Sequence, residues 1–198
     1  MSLWECIQTR RSIRSFTQAP VAREILLSML DAARLAPSGA NLQPLKYALI
    51  TDEQTRAQLY PYIHYAGYLP NFNPTPEQCP TAFIAVLADT DIRPAQACEC
   101  DAGLSMMSMC LVARDRGLDT VILGAIDREV IAKQLSLSEN LSPLYLLGVG
   151  YAAQHSVTVP FSDSVKYTMD GEGTVSVPKR SLKEILVEDS DGYSENHA

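Results

Sequence analysis

Three of the chain's 16 basic residues fall within five positions, Arg10-Arg11-Ser12-Ile13-Arg14, in a protein whose formal net charge is −7. Guanidinium forks beside a serine hydroxyl suit a phosphate dianion, because together they offer bidentate, charge-assisted hydrogen bonds. Arginines at the end of a short helix would also offset its negative C-terminal dipole, so phosphate binding and helix termination both stand. A second polar cluster, Ala36-Pro37-Ser38-Gly39-Ala40-Asn41-Leu42-Gln43-Pro44, ends a helix and enters a strand; alone it reads as a turn. Gly148-Val149-Gly150-Tyr151-Ala152-Ala153 satisfies G-x-G-x-x-G/A, the dinucleotide-binding pattern. That mechanism needs a helix directly after the glycines, whereas Val157-Thr158-Val159-Pro160 reads as extended chain. The expectation is a buried strand whose glycines relieve crowding.

Other candidate groups carry less. Cys6, Cys79, Cys98, Cys100 and Cys110 are odd in number and form no Cys-x-x-Cys pair, which fits a reducing cytoplasm and argues against a metal centre. Cys98 and Cys100 sit in an expected helix, where positions two apart point about 200° away from each other and cannot easily grip one ion. His64 and Tyr65 lie in a loop where they could meet a substrate, although a lone loop histidine is more often a bystander. No side chain stands out as an acid or base.

The elements that must position these groups follow from caps and periodicity. Ser2 and Glu5 form a capping box that opens a short helix to about Thr9. Ile25, Leu26, Met29, Leu30 and Ala33 share one arc of a helix over 22–35, stopped by Pro37 and Gly39. Strands are expected at 47–51, 81–88, 120–125 and 144–151, with helices at 53–60 behind Asp52 and from Asp127 to about Leu135. The helix over 95–116 should be the longest; its uncharged stretch from Ala102 to Ala113 leaves little solvent face and marks it as central to the core or to a dimer contact. Residues 61–80 fit no regular element and carry Tyr62, Tyr65, Tyr68 and Phe72, as a lid, a binding wall or a subunit contact would. Beyond Ala153 the chain reads as irregular, and residues 188–198 as a loose acidic tail.

A chain of 198 residues, 46% hydrophobic and 20% charged, is expected to fold as a single domain over 1–198. Its acidic balance disfavours nucleic acid and anionic membrane as partners, and Glu5, Arg10 and Arg11 stand where a signal peptide would be apolar. Alternating helices and strands on their own suggest a parallel α/β sheet.

The two N-terminal clusters at this separation resemble the nitroreductase family of flavoproteins. The likeness runs from Arg10-Arg11-Ser12-Ile13-Arg14-Ser15-Phe16 through Pro20-Val21 to the 36–44 segment. It resumes at Asp101-Ala102-Gly103, Leu123-Gly124, Leu147-Gly148-Val149-Gly150-Tyr151-Ala152 and Pro178-Lys179-Arg180-Ser181-Leu182. The resemblance implies an α+β fold, an α-β-α sandwich with a central mixed sheet flanked by helices, in an intertwined homodimer that holds two FMN molecules at the subunit interface. It implies that Arg10, Arg11 and Ser12 hold the FMN phosphate and ribityl chain, and that Arg14 faces the pyrimidine edge. Pro37, Ser38, Gly39 and Asn41 match a segment given to the other subunit's flavin. Backbone amides at Ile122, Leu123 and Gly124 match donors to flavin N5, and Lys179 or Arg180 matches a basic residue that closes on the phosphate. Leu45 departs from the family, many of whose members carry tryptophan there, and Asn71 or Asn73 could reach the ring or serve only in surface turns.

The implied activity is electron transfer from NADH or NADPH through FMN to a nitroaromatic, quinone or similar small conjugated acceptor, by a ping-pong mechanism. Alternatives are the same fold applied to reductive dehalogenation, desaturation or flavin breakdown, a flavin-binding sensor or store, or an acidic dimeric scaffold whose arginines only close a helix.

Overall fold

The computed structural model describes residues 1–188 except 66, 70 and 71, so Asn71 and most of the expected tail lie outside the described residues. In chain order the helices are α1 (Leu3–Thr9), α2 (Arg23–Leu35), α3 (Glu53–Leu59), α4 (Glu99–Asp115), α5 (Arg128–Gln134) and α6 (Leu182–Ile185). The strands are β1 (Leu45–Ile50), β2 (Ala82–Asp89), β3 (Asp119–Leu123), β4 (Leu141–Gly150), β5 (Ser156–Pro160), β6 (Thr168–Met169) and β7 (Val175–Lys179). The caps work as the sequence implies. Ser2 and Glu5 exchange bonds at the start of α1, Asp52 accepts from the Thr55 amide, and Asp127 accepts from the Val130 amide. The longest helix begins with a 3-10 turn, Ala95–Cys98, and becomes regular α4 from Glu99.

The central sheet has the order β1-β2-β4-β3, and all three of its pairings are antiparallel. This corrects the parallel reading suggested by alternation. Only one excursion is a true crossover: α4 carries the chain between β2 and β3, which run the same way, and β4 then inserts between them. Helix α3 and the loop after it leave and return at the same end of the sheet, as an antiparallel β1–β2 pair requires. The parallel component at this sheet is a single bridge, Ser12 to Thr120, along the outer edge of β3.

Both faces of the sheet are covered, which accounts for the unbroken apolar run of β2. Ala82, Ile84, Val86 and Ala88 face Leu26 and Met29 of α2 and Met106, Met109 and Cys110 of α4. Phe83, Ala85 and Leu87 face Leu59 of α3, Ile131 of α5, and Ile13 and Phe16 of the N-terminal segment. The result is an α-β-α sandwich. Met106 and Met109 are core, while Met107 is 38% exposed beside Leu104 on the outer face of α4.

Residues after Ala153 are more ordered than their composition suggests. They form a second sheet, β5-β7-β6, with β5 parallel and β6 antiparallel to β7, followed by α6. Strands of two to five residues that carry Pro160 and Pro178 give almost no periodic signal.

The glycines of β4 act by size. A Cβ on Gly148 would sit 2.6 Å from Pro80 Cγ and 2.9 Å from Val121, and one on Gly150 would sit 2.9 Å from the Phe16 ring. No helix follows them. Gly148→Ala is expected to lower unfolding free energy by about 1–3 kcal/mol through overpacking, whereas Gly171→Ala, with nothing within 4 Å of the added carbon, should leave it unchanged. Urea unfolding midpoints at constant slope check both.

Candidate functional site

The basic cluster is built where α1 stops. Arg10 caps the helix with its amide on the Cys6 carbonyl, and the chain then extends along β3. The Ile13 amide donates to Thr120 O at 3.0 Å, that of Arg14 to Gln154 Oε1 at 3.0 Å, and that of Thr17 to Tyr151 O at 2.8 Å. Burial of Ile13 and Phe16 anchors this segment and leaves Arg10, Arg11, Ser12 and Arg14 partly exposed between them.

Charge here is unbalanced. Arg11 donates to the carbonyls of Arg10 and Gln8 and reaches Thr158 Oγ1 at 3.4 Å. Arg114, at the end of α4, binds both oxygens of Asp119 at 3.1 Å. Three guanidiniums thus lie close enough to act on one another, with one buried carboxylate, Asp119, paired to Arg114 and near Arg10. Burial first, then the charges of Arg10 and Arg114, lowers the Arg11 pKa; burial raises that of Asp119 against the pull of Arg114 and Arg10. The Nε atoms of Arg10 and Arg11 are buried without a hydrogen-bond partner. A cavity of about 560 Å³ lies against this group, lined by Arg11, Arg114, Asp119, Gln154 and His155 among others. Unpaired buried donors beside surplus positive charge fit an anionic ligand.

The late basic pair resolves into two different roles. Lys179 ends β7 opposite Pro160 of β5 and lines a cavity of about 400 Å³ with Thr158, the residue that also meets Arg11. Arg180 is engaged elsewhere: its guanidinium lies 4.1 Å above the Phe161 ring and pairs with Glu184 at 3.5 Å.

Arg14 is held by contacts absent from the sequence reading. Its Nη1 donates to Ser12 O at 3.3 Å, and its guanidinium stacks 4.6 Å from the centroid of Tyr167, whose hydroxyl accepts from the Tyr68 amide at 3.4 Å. The Tyr68 and Tyr167 rings meet at 5.2 Å, joining the 61–80 loop to the segment before β6. Nothing in the spacing around Tyr167 signals this, because the contact joins two irregular segments.

Ile122, Leu123 and Gly124 close β3 at the sheet edge, with Ile122 42% exposed. Arg128 donates to Gly124 O, and the Tyr145 ring leaves no room for a side chain at Gly124, where a Cβ would sit 3.0 Å away. Directly after this turn the first limb of the 61–80 loop is tied down: His64 donates to Ala125 O, Asp127 donates to Tyr62 O, and Ile63 bridges Ile126. His64 and Asn73 are exposed, and Tyr65 is half-buried with an unpartnered hydroxyl.

The second cluster is elsewhere. Pro37, Ser38, Gly39 and Asn41 lie in the α2–β1 connection, and the Gly39 amide donates to Asp101 near the start of α4. Asp101 and Arg114 are separated by 13 positions of one helix, about 20 Å at 1.5 Å per residue. The sheet agrees: Leu45 is three strands and several residues of register from Thr120, a distance on the order of 25 Å. Within one chain the structure brings Arg10–Arg14 and 122–124 to the β3 edge, sets Lys179 on β7 near Thr158, and keeps 37–41 at the far end of α4 from Arg114.

The model of the nitroreductase family matches residues 7–151, which include the basic cluster, the 37–41 segment and the 122–124 turn. The chain belongs to the nitroreductase family. It is 29% identical over 190 residues to the Bacillus subtilis protein named "Putative NAD(P)H nitroreductase YdgI", covering 75% of this chain and 88% of that one. It is 28% identical over 170 residues to the FMN reductase [NAD(P)H] of the same organism, covering 76% and 66%. Among solved structures, a nitroreductase-fold protein from Exiguobacterium sibiricum, crystallised in complex with FMN, superposes with a TM-score of 0.64 at 26% identity over 78% of this chain and 90% of that one. No helix among the described residues is long and apolar enough to cross a membrane.

The thiol within the 61–80 loop is not set up as a nucleophile. Cys79 is 2% exposed, and burial pushes its pKa up to about 11. It should therefore stay protonated and unmodified by iodoacetamide at pH 8 in the native protein and react fully in denaturant, as peptide mass mapping will show.

Proposed function

We propose that this nitroreductase-family protein is a homodimeric, FMN-dependent oxidoreductase that takes electrons from NADH or NADPH. Its acceptor is a nitroaromatic, quinone or similar conjugated molecule, reached by a ping-pong mechanism. The observation that carries the reading is the pair of buried, unpartnered Nε donors of Arg10 and Arg11 at the β3 edge, with Arg11 reaching Thr158. Names of the relatives point the same way.

Bound FMN would supply reversible hydride acceptance. Arg10, Arg11, Ser12 and Lys179 form the set that would hold its phosphate, each guanidinium contributing charge-assisted bonds. Arg14, fixed in direction by Ser12 O and Tyr167, offers a cation toward which negative charge on the pyrimidine side can build. Backbone amides of Ile122–Gly124 are the candidate donors to N5, with Arg128 and Tyr145 stiffening that turn. No side chain is assigned as acid or base. Tyr62, His64 and Tyr68 belong to the wall on which a nicotinamide and then an acceptor would stack.

Two observations support the homodimer. The 37–41 segment sits at the Asp101 end of α4, about 20 Å along the helix from Arg114 and the arginine cluster of its own chain, a separation that a twofold mate would bridge. Leu104 and Met107 of α4 and Leu3, Trp4 and Ile7 of α1, which packs on α4, are exposed apolar residues a mate would cover.

Purified protein should bind FMN, show NAD(P)H-dependent bleaching of the flavin band, and recover that band on addition of a quinone or nitro compound. Binding without reduction by either nicotinamide would leave the sensor or store reading. Arg10→Ala and Arg11→Ala should each weaken FMN binding about ten- to hundredfold, the equivalent of about 1.5–3 kcal/mol. Lys179→Ala should weaken it more than Arg180→Ala, as fluorescence titration will measure.

A further inference from the structure

Asp101 is a carboxylate 3% exposed in the first turn of α4, remote from the arginine cluster. Its Oδ1 accepts the Gly39 amide at 3.0 Å, and its Oδ2 faces Arg93 Nη1 at 3.4 Å. Gly39 opens a turn in which Ala40 (φ 51°), Asn41 (φ 55°) and then Gln43 (φ 50°) all adopt left-handed backbone. Three such non-glycine residues within four positions are costly, and backbone of this kind persists only where its surroundings impose it.

Local bonds supply part of that constraint. The Asn41 amide donates to Ser38 O, Leu42 to Gly39 O, and Gln43 to Ser38 Oγ. Among the described residues, Asp101 provides the hydrogen bond that ties this turn to the rest of the fold. Arg93 packs against Gly39 as well as pairing with Asp101, so the carboxylate works as an acceptor while its charge is offset. The turn itself is turned outward: Ala40, Asn41, Leu42 and Gln43 are all exposed. A strained conformation held from below and presented to solvent is what a clamp for something outside its own chain requires.

We infer that Asp101, neutralised by Arg93, is a positioning residue that sets the 38–43 turn so that it completes the flavin site of the second copy. The inference rests on the composite-site reading above. Asp101 acts through Gly39 and touches neither cofactor nor substrate.

FMN titration of the full-length protein tests it. Asp101→Ala, which removes the acceptor, should weaken binding about ten- to hundredfold. Asp101→Asn keeps an oxygen for the Gly39 amide and should recover most of that loss; equal losses in the two variants would overturn a role through this hydrogen bond. A mixed dimer settles where the effect is felt. When differently tagged Asp101→Ala and Arg11→Ala chains are co-expressed and the heterodimer is isolated, one composite site carries both lesions and the other carries neither. Half of the sites should then bind FMN with wild-type affinity, although each parent homodimer binds weakly. If Asp101→Ala does not fold because Arg93 is left without its partner, the Asp101→Ala/Arg93→Ala double variant, which removes acceptor and cation together, replaces it in both experiments. Wild-type affinity in Asp101→Ala, or a heterodimer without a wild-type site, overturns the inference alone. Failure of the wild-type protein to bind FMN overturns the flavin reading and this inference with it.

Discussion

Arg10, Arg11 and Arg114 converge on one end of β3, where Asp119 pairs with Arg114 and feels the charge of Arg10. Like charges at this separation repel, and partial burial strengthens the repulsion because less water screens it. The fold tolerates them by giving Arg11 two main-chain carbonyls and by anchoring the segment through Ile13 and Phe16. Two Nε donors still lack partners. Much of the surrounding structure can be understood from that tension: why the N-terminal chain runs beside an open sheet edge, why Thr158 and Lys179 of the smaller sheet are brought against it, and why an anion would relieve it.

Helix α4 is the second constraint. Its 17 residues separate the Asp101–Gly39 contact from the Arg114–Asp119 contact and fill the core between them with Ala102, Met106, Met109 and Ala113. The rod sets these two contacts about 20 Å apart along its axis. The proposed composite site accords with that separation, and the uncharged outer face of the same rod, at Leu104 and Met107, offers a surface on which two copies could meet.

Features set by neighbours in sequence were legible there. Ser2, Asp52 and Asp127 marked helix starts, the apolar arc of α2 marked its buried face, and Gly148 and Gly150 were recognisable as space-saving residues once no helix could follow them. Strand direction was not legible, because alternation of elements is the same whether a connection crosses the sheet or returns to the end it left. The smaller sheet escaped notice because its strands are short and carry prolines at their ends. At the site, the basic cluster and the 37–41 turn could be picked out by composition. Tyr167 over Arg14, Thr158 beside Arg11 and Asp101 beneath Gly39 are contacts across 62 or more positions, and nothing local announces them.

The anchoring of the 61–80 loop divides it into parts with separate duties. Tyr62, Ile63 and His64 are laced to residues 125–127 immediately beyond Gly124, so the loop's root moves only with the turn that would address the flavin. Among the described residues downstream, Tyr68 is held by Tyr167, and Phe16 and Gln18 bind the chain again near Gln78 and Cys79. On the proposed function, substitution between Tyr68 and Gln78 would change which acceptors are admitted, while the bonds at 125–127 would keep the turn at Gly124 in place. A lineage could thus diversify in diet without retuning its engine.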